Sequence, residues 1–400
     1  MKILFVHEVS YRKKVIYEMH EFPELLSLRG HEVTFLEFDE GKKVWQANQG
    51  PKREMISGRV HSQAKVDLVS PFQLGIPGLD RLLATLTVLP TLNSLLKRGN
   101  FDAVVLYAVP TYGLQTLWLA KKYKVPVVFR ALDVSHKIRS SFLAPVIKWV
   151  EQLVYKKTDL LSANNPAMAR YCTELSQRTS QTVVHFPPLD LGHFQNSSRD
   201  LALRSALGIA EGDRVIVYMG SFFYFSGLAH ALDEFAEVSK SSPNIKLLLI
   251  GGGEQDSELR QKVAALGLDE KVVFTGFISY NELPRYLKIA DVAVNTLEQT
   301  LVANVAFPNK VLQYMAAGLP VVSTRLDGLE QTFGERAGIT WAVDSKSVVR
   351  AASKLSQQTE ADLGRISKLQ LGAVSGIFGV ESAVDKFEES LTALSAGGSK

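Results

Sequence analysis

Short runs of Val, Ile, Leu and Phe alternate along the chain with segments whose apolar residues recur every three or four positions. In the first half, the runs Lys2 to His7, His31 to Phe38, Ala103 to Tyr107, Pro126 to Arg130, Asp159 to Ala163 and Thr182 to Phe186 predict buried strands. Between them, Met19 to Leu28 carries Met19, Phe22, Leu25 and Leu26 at helical spacing and stops at Gly30, and Tyr112 to Tyr123 reads as another helix. After HFPPLDLGHFQNSS, His185 to Ser198, which reads as a linker, the pattern restarts with Arg214 to Met219, Ile245 to Ile250, Lys271 to Thr275, Asp291 to Asn295 and Pro320 to Thr324. Alternation of this kind predicts an α/β protein of two doubly wound, Rossmann-like domains facing a central cleft. The expected division is residues 1–190, 191–370, and a C-terminal helix in 371–400 that packs back on the first domain and ends in a frayed tail, LSAGGSK. Residues 41–80 show no clear period and are expected to be loop-rich.

Four hundred residues, 46% of them hydrophobic and 22% charged, exclude disordered, collagen-like and coiled-coil classes. The single Cys172 permits neither an internal disulfide nor a cysteine zinc site, and reads as a small buried hydrophobe in a reducing compartment. MKILFVH lacks the apolar core and cleavage site of a signal peptide, and the least charged stretch, Leu82 to Leu96, is too short to span a bilayer and contains Pro90. A cytoplasmic protein is expected. Residues 1–190 carry 25 Lys and Arg against 17 Asp and Glu, whereas the rest carries 20 against 24. The basic half suggests an acidic partner, either an anionic membrane or a phosphorylated substrate; scattered solubilising lysines are the other reading. A peripheral membrane contact would use Leu82 to Leu96 with Arg12, Lys13 and Lys14. No nucleic-acid partner is expected.

Candidate chemistry begins with three glycine turns after second-half strands: Gly220 in YMGSFFYFSG, Gly251 to Gly253 in LLLIGGGE, and Gly276 in VFTGF. Each alone is an ordinary turn, but three on one sheet edge could line a pocket in which backbone approaches phosphate closely. The most specific segment is FPNKVLQYMAAGLPVVST, Phe307 to Thr324. Pro308 suits the first turn of a helix, Gly318 ends it, and Lys310, Gln313 and Ala317 share one stripe while Val311, Leu312, Tyr314 and Met315 pack inward. A lysine near a helix N-terminus is unfavourably placed unless an anion joins it.

The run PNKVLQYMAAGLPVVST resembles the signature of the retaining, family-4 (group 1) glycosyltransferases of GT-B fold. VFTGFISYNELPRYLKIADVAVN, YMGSFFYFSGLAHAL, FPPLDLGHF and the opening KILFVHE and HEFPELLSLRGHEVTF are similar to further segments of that family. The resemblance implies transfer of a hexosyl group, with retention, from a nucleotide diphosphate sugar to a glycan, lipid-linked or small-molecule acceptor, with neither cofactor nor metal; the basic first half adds an acidic acceptor to these expectations. It implies a donor site of Gly220, Ser221, Ser226, Gly227, Gly252, Gly276, Phe277, Phe307, Pro308, Asn309, Lys310 and Gln313. Acceptor contacts are expected from Tyr11, Arg12 and Arg130, and sugar- or acceptor-facing catalytic groups from Asp133 and His136 in FRALDVSH.

The chain departs from the family pattern at three positions. Val305 and Gln313 stand where members commonly carry the two glutamates of Glu-x7-Glu, and Ser226 stands where a lysine usually holds the diphosphate. A catalytically silent nucleotide-binding subunit is the alternative these changes raise. An epimerase on the same fold would need a carboxylate set that is not evident. For Asp133 and His136 a structural reading also stays open, in which Asp133 caps a helix and His136 is exposed. Glu18, His20 and Glu21 read as a solvated helix face.

Overall fold

The computed structural model describes residues 1–39, 51–76, 78–137 and 142–397. Among these the chain forms two compact units: Met1–Pro188 together with Val380–Lys400, and Leu189–Gly379.

In unit 1 the strands are β1 (Lys2–Val6), β2 (Glu32–Leu36), β3 (Lys52–Ser57), β4 (Lys65–Ser70), β5 (Ala103–Leu106), β6 (Val127–Ala131), β7 (Leu160–Ala163) and β8 (Val183–Val184). Its helices are α1 (Glu18–Leu28), α2 (Asp80–Arg98), α3 (Gly113–Tyr123), α4 (Ala144–Lys157), α5 (Pro166–Ser176) and, from the chain's end, α16 (Val380–Gly397). The sheet order is β3-β4-β2-β1-β5-β6-β7-β8, parallel except for β3. Fully buried, uncharged strands such as Ala103–Leu106 need cover on both faces. One cover is α1 with α16, where Phe22 meets Phe387 at 4.5 Å between ring centroids. Right-handed crossovers place α2, α3, α4 and α5 on the other.

Two expectations are corrected here. The segment read as loop-rich holds the β3–β4 hairpin; its first part, residues 40–50, lies outside the described residues. Five of the six β3 residues are exposed, so this edge strand lacked a hydrophobic signal, and its place is held by Arg53 pairing with Asp67 at 2.6 Å. At the other end, Leu394 to Gly397 of the tail read as frayed continues α16.

Unit 2 contains α6 (Leu191–Gln195), α7 (Leu201–Ala206), β9 (Arg214–Ser221), α8 (Leu228–Ser241), β10 (Ile245–Gly252), α9 (Asp256–Ala265), β11 (Val272–Gly276), α10 (Leu283–Leu287), β12 (Val292–Asn295), α11 (Leu301–Val305), α12 (Asn309–Ala316), β13 (Val321–Thr324), α13 (Asp327–Phe333), β14 (Thr340–Ala342), α14 (Ser345–Ser356) and α15 (Glu360–Phe378). All six strands are parallel, in the order β11-β10-β9-β12-β13-β14. Strand order reverses at β1 in unit 1 and at β9 in unit 2. Loops leaving the carboxyl ends of those two strands therefore open at the positions where such sheets bind ligands.

Candidate active site

In unit 2, the loops after β9, β10 and β11 meet. Gly220 has φ 141°, and a side chain on Gly251, at φ 129°, would overlap the Gly220 carbonyl oxygen. The same crowding continues outward, since a Cβ on Gly252 would stand 3.1 Å from the Phe277 ring. Phe277 itself is 65% exposed, beside Gly276 at φ 71°. Glycine at these points is what lets three strand ends form one backbone surface.

Over that surface lies Lys310. Its Nζ is 4.0 Å from the centroid of the Tyr218 ring and would be 3.3 Å from a Cβ on Gly220. No carboxylate pairs with it among the described residues, and burial against neutral groups lowers its pKa to about 7. The side chain is positioned by α12, whose first residue is Asn309; Pro308 is the N-cap, one place earlier than the sequence suggested. Tyr314, one turn further and fully buried, accepts the Met219 N–H at 2.6 Å and ties the helix to β9. Gln313 is partly buried on the Lys310 side, and the Asn309 Oδ1 and Asn304 Oδ1 atoms are buried without a hydrogen-bond partner. A half-buried cation, unpaired amide oxygens and a glycine-lined backbone can together hold a phosphate and hydroxyl groups.

Two expected donor residues face the interior. Phe307 is 6% exposed and stacks on Phe378 and Phe333 at 5.6 and 6.2 Å. Ser226 is fully buried; its carbonyl accepts the Thr296 hydroxyl at 2.7 Å and its Oγ lies 3.4 Å from the Leu228 N–H, so it shapes the entry to α8. The following Gly227 has φ 70° with no room for a side chain against the Thr296 carbonyl. Ser221 is partly exposed, and its carbonyl accepts the Tyr218 hydroxyl at 3.3 Å.

In unit 1, the end of β1 opens onto a polar cluster. His7 stacks on Tyr107 at 5.1 Å, its Nδ1 accepts the Glu8 N–H at 2.9 Å, and its Nε2 meets the Tyr17 hydroxyl at 3.0 Å. Desolvation first, and the nearby His20 second, push its pKa down to about 3, so the ring is neutral with its proton on Nε2. Asp133, two residues beyond β6, is exposed; crowding by protein atoms and then the Glu18 charge raise its carboxyl to about 6. His136 is 7% exposed, and its Nδ1 lies 2.6 Å from Glu151, which also accepts the Ser135 N–H and the Tyr155 hydroxyl. His136 is thus held within the unit, contrary to the exposed helical reading, and Asp133 is the accessible member of the pair.

The acceptor set is revised. Arg130 is 1% exposed: Nε and Nη2 donate to Glu18 at 2.6 and 2.8 Å, and Nη1 donates to Ser162 and the Ala163 carbonyl. Tyr11 is fully buried and donates its hydroxyl to Glu24 at 2.6 Å. Only Arg12 of the three is exposed, and it pairs with Glu54. Glu18, His20 and Glu21, read as a solvated face, are all buried. A helix period cannot show that the loop after β1 and the 58–61 turn close over α1. The cluster member that sequence reasoning missed, His7, had one available signal: it is the polar residue directly after the apolar run of the first strand.

A model described as "Glycosyl transferases group 1" matches residues 213–358, and "Glycosyl transferase 4-like domain" matches residues 19–187. Curated relatives include an α-monoglucosyldiacylglycerol synthase of Streptococcus pneumoniae, 23% identical over 57% of this chain and 52% of its own. A 2-deoxystreptamine N-acetyl-D-glucosaminyltransferase of Streptomyces fradiae is 26% identical over 58% of each chain. The chain thus spans about half the length of these relatives. Among solved structures, Anabaena HepE in complex with UDP and glucose superposes with TM-score 0.75 at 18% identity, covering 98% of this chain and all of that one. A sucrose-phosphate synthase of Thermosynechococcus elongatus gives 0.76 at 16% identity, covering 99% of each. With one family domain matched in each unit and the GT-B architecture shared over nearly its whole length, the chain belongs to the group 1 glycosyltransferases.

Proposed function

We propose that the chain transfers a hexosyl group from a nucleotide diphosphate sugar to an acceptor bound by unit 1, with retention of anomeric configuration and no metal requirement. The observation that carries this reading is Lys310, a partly buried ammonium without a counter-ion among the described residues, lying over the Gly220 turn. In transfer, the bond from the anomeric carbon to the diphosphate breaks, its electron pair leaving with the diphosphate oxygen; the acceptor oxygen bonds that carbon and passes its proton to the departing phosphate oxygen, and negative charge grows on the nucleoside diphosphate in the transition state. Lys310 and the first amides of α12 supply the compensating positive charge that a metal would otherwise bring. Gly276 and Phe277 offer backbone to the base, and Gln313 hydrogen-bonds a ribose hydroxyl in place of a carboxylate. Asp133 orients the reacting sugar or the acceptor hydroxyl.

Retention is implied by the family resemblance. The two relatives' names carry a diacylglycerol lipid and 2-deoxystreptamine, so they do not single out an acceptor for this chain. The basic balance of the first half favours an anionic or lipid-borne one. The test is titration calorimetry of UDP- and GDP-sugars in EDTA, followed by NMR of the product's anomeric coupling. Binding without metal and a retained anomer support the reading. Absence of any donor binding removes it, and binding without turnover leaves the silent-subunit reading, which Val305 and Gln313 favour.

A further inference from the structure

We propose that the outer face of α2, α3 and α4 docks on an anionic lipid surface, without spanning it. This rests on the surface of unit 1 alone and does not depend on the transferase reading. The observation is where the apolar side chains stand. On α2 the solvent-facing stripe begins with Leu82 and Leu86, 63% and 66% exposed, and continues to exposed Pro90. On α3 it carries Trp118, 61% exposed. Entering α4 and along its first turns it carries Phe142, Val146 and Trp149, 90%, 55% and 57% exposed. A surface helix ordinarily turns charged residues to water on this face. The three helices are consecutive neighbours in one layer, α2 beside α3 and α3 beside α4, so these side chains share a side of the unit.

Charge decides the occupant. The same three helices carry eight Lys and Arg side chains, among them Lys97, Lys121, Lys122, Lys148 and Lys156, against two acids, and one of those acids, Glu151, is buried on His136. On the opposite face, the three acids of α1 are buried, and α16 carries four acids and one lysine, two of those acids pairing with Arg29. A second copy meeting this face through itself would set like charges against like. An anionic bilayer complements it: the cations meet phosphates while two indoles and Phe142 enter the headgroup region, where amphipathic rings are favoured. No described helix is long and apolar enough to cross a membrane. The structure also relocates the expected contact. Val88, Leu92, Leu95 and Leu96 of the Leu82 to Leu96 segment are core, and Arg12 and Lys13 pair with Glu54 and Asp39.

The test is co-sedimentation of the whole chain, without donor, with vesicles of phosphatidylcholine alone or mixed with phosphatidylglycerol, at low and high salt. Binding to the anionic vesicles only, weakened by salt, with a blue shift of tryptophan emission, is expected. Phe142→Ser/Trp149→Ser, at exposed positions, should lower partitioning by about tenfold or more, and Lys121→Glu/Lys122→Glu should do so with the tryptophans intact. Thermal melts report whether either variant is folded. No binding at low salt, equal binding to neutral vesicles, or partitioning unchanged in both folded variants would overturn the proposal. So would a vesicle-free dimer that the serine variant converts to monomer, since the face would then be occupied by a second copy.

Discussion

Lys310 illustrates how a single charge can be assigned by what does not surround it. Its lowered pKa of about 7 means that the free protein has partly lost this proton at neutral pH, and a bound diphosphate would restore it. Donor binding should therefore take up a proton near pH 7, and affinity should fall as pH rises further; calorimetry in buffers of different ionisation enthalpy measures the uptake. Lys310→Ala should weaken donor binding by roughly ten- to a hundredfold, the scale of a charge-assisted hydrogen bond. Normal affinity in the folded variant would remove the diphosphate from this helix. At Asp133 the sign is opposite. With a carboxyl raised to about 6, the carboxylate forms only above that pH, so a reaction needing it should lose rate as pH falls through 6. Asp133→Asn should abolish that acid limb; an unchanged profile assigns the limb to another group.

At the scale of elements, loops here are held by buried carboxylates within helices. Glu24 of α1 is fully buried, and its two oxygens accept the N–H groups of Arg59, Val60 and His61 at 2.7, 2.9 and 2.7 Å along with the Tyr11 hydroxyl. It thereby fixes the turn that joins β3 to β4. Glu24→Gln can accept through one oxygen only, leaving at least one buried N–H unpaired at a cost of about 1 to 3 kcal/mol. Hydrogen exchange at residues 59–61 should accelerate before the rest of the sheet, and uniform protection would show that the turn is held by something else. Glu18 is a harsher case, because its partner Arg130 is equally buried: Glu18→Gln strands a guanidinium inside the unit, costing roughly 3 to 5 kcal/mol. The periodic pattern did reveal α1 itself, down to the core stripe of Met19, Phe22 and Leu26. What it concealed was that the polar face is covered too, since a carboxylate satisfied by distant backbone looks in sequence like a solvated one.

On the scale of the whole molecule, the chain leaves unit 1 at Pro188 and re-enters it at Val380. The returning helix α16 contributes fully buried Val384, Phe387 and Leu391 to the unit 1 core, beside Phe22 and Ile3. Its outer edge is latched by Arg29 on Asp385 and Glu388 at 2.6 and 2.7 Å. Phe387→Ala should cost roughly 3 to 5 kcal/mol, by analogy with other buried aromatic truncations. Exchange mass spectrometry should show the lost protection in β1 and β5 rather than in β9 and β10; a loss shared equally by both units would contradict the division. The basic α2–α4 face also appears only once those helices pack side by side, because the net charge of +4 averages it away.

Strands β1, β2 and β5 to β13, helices α1 and α3, and the helix that starts at Asn309 and stops at Gly318 are legible in the sequence, because buried parallel strands and helix ends impose periods and stop residues that survive without neighbours. The edge strand β3, the burial of Arg130, Tyr11, Phe307 and Ser226, and the outward turn of Phe142 and Trp149 were decided by tertiary structure alone. Each depends on what a distant segment places beside the side chain. A residue type states what chemistry a group can perform; whether the group faces solvent, a ligand or a buried counter-ion is settled by contacts that have no local period.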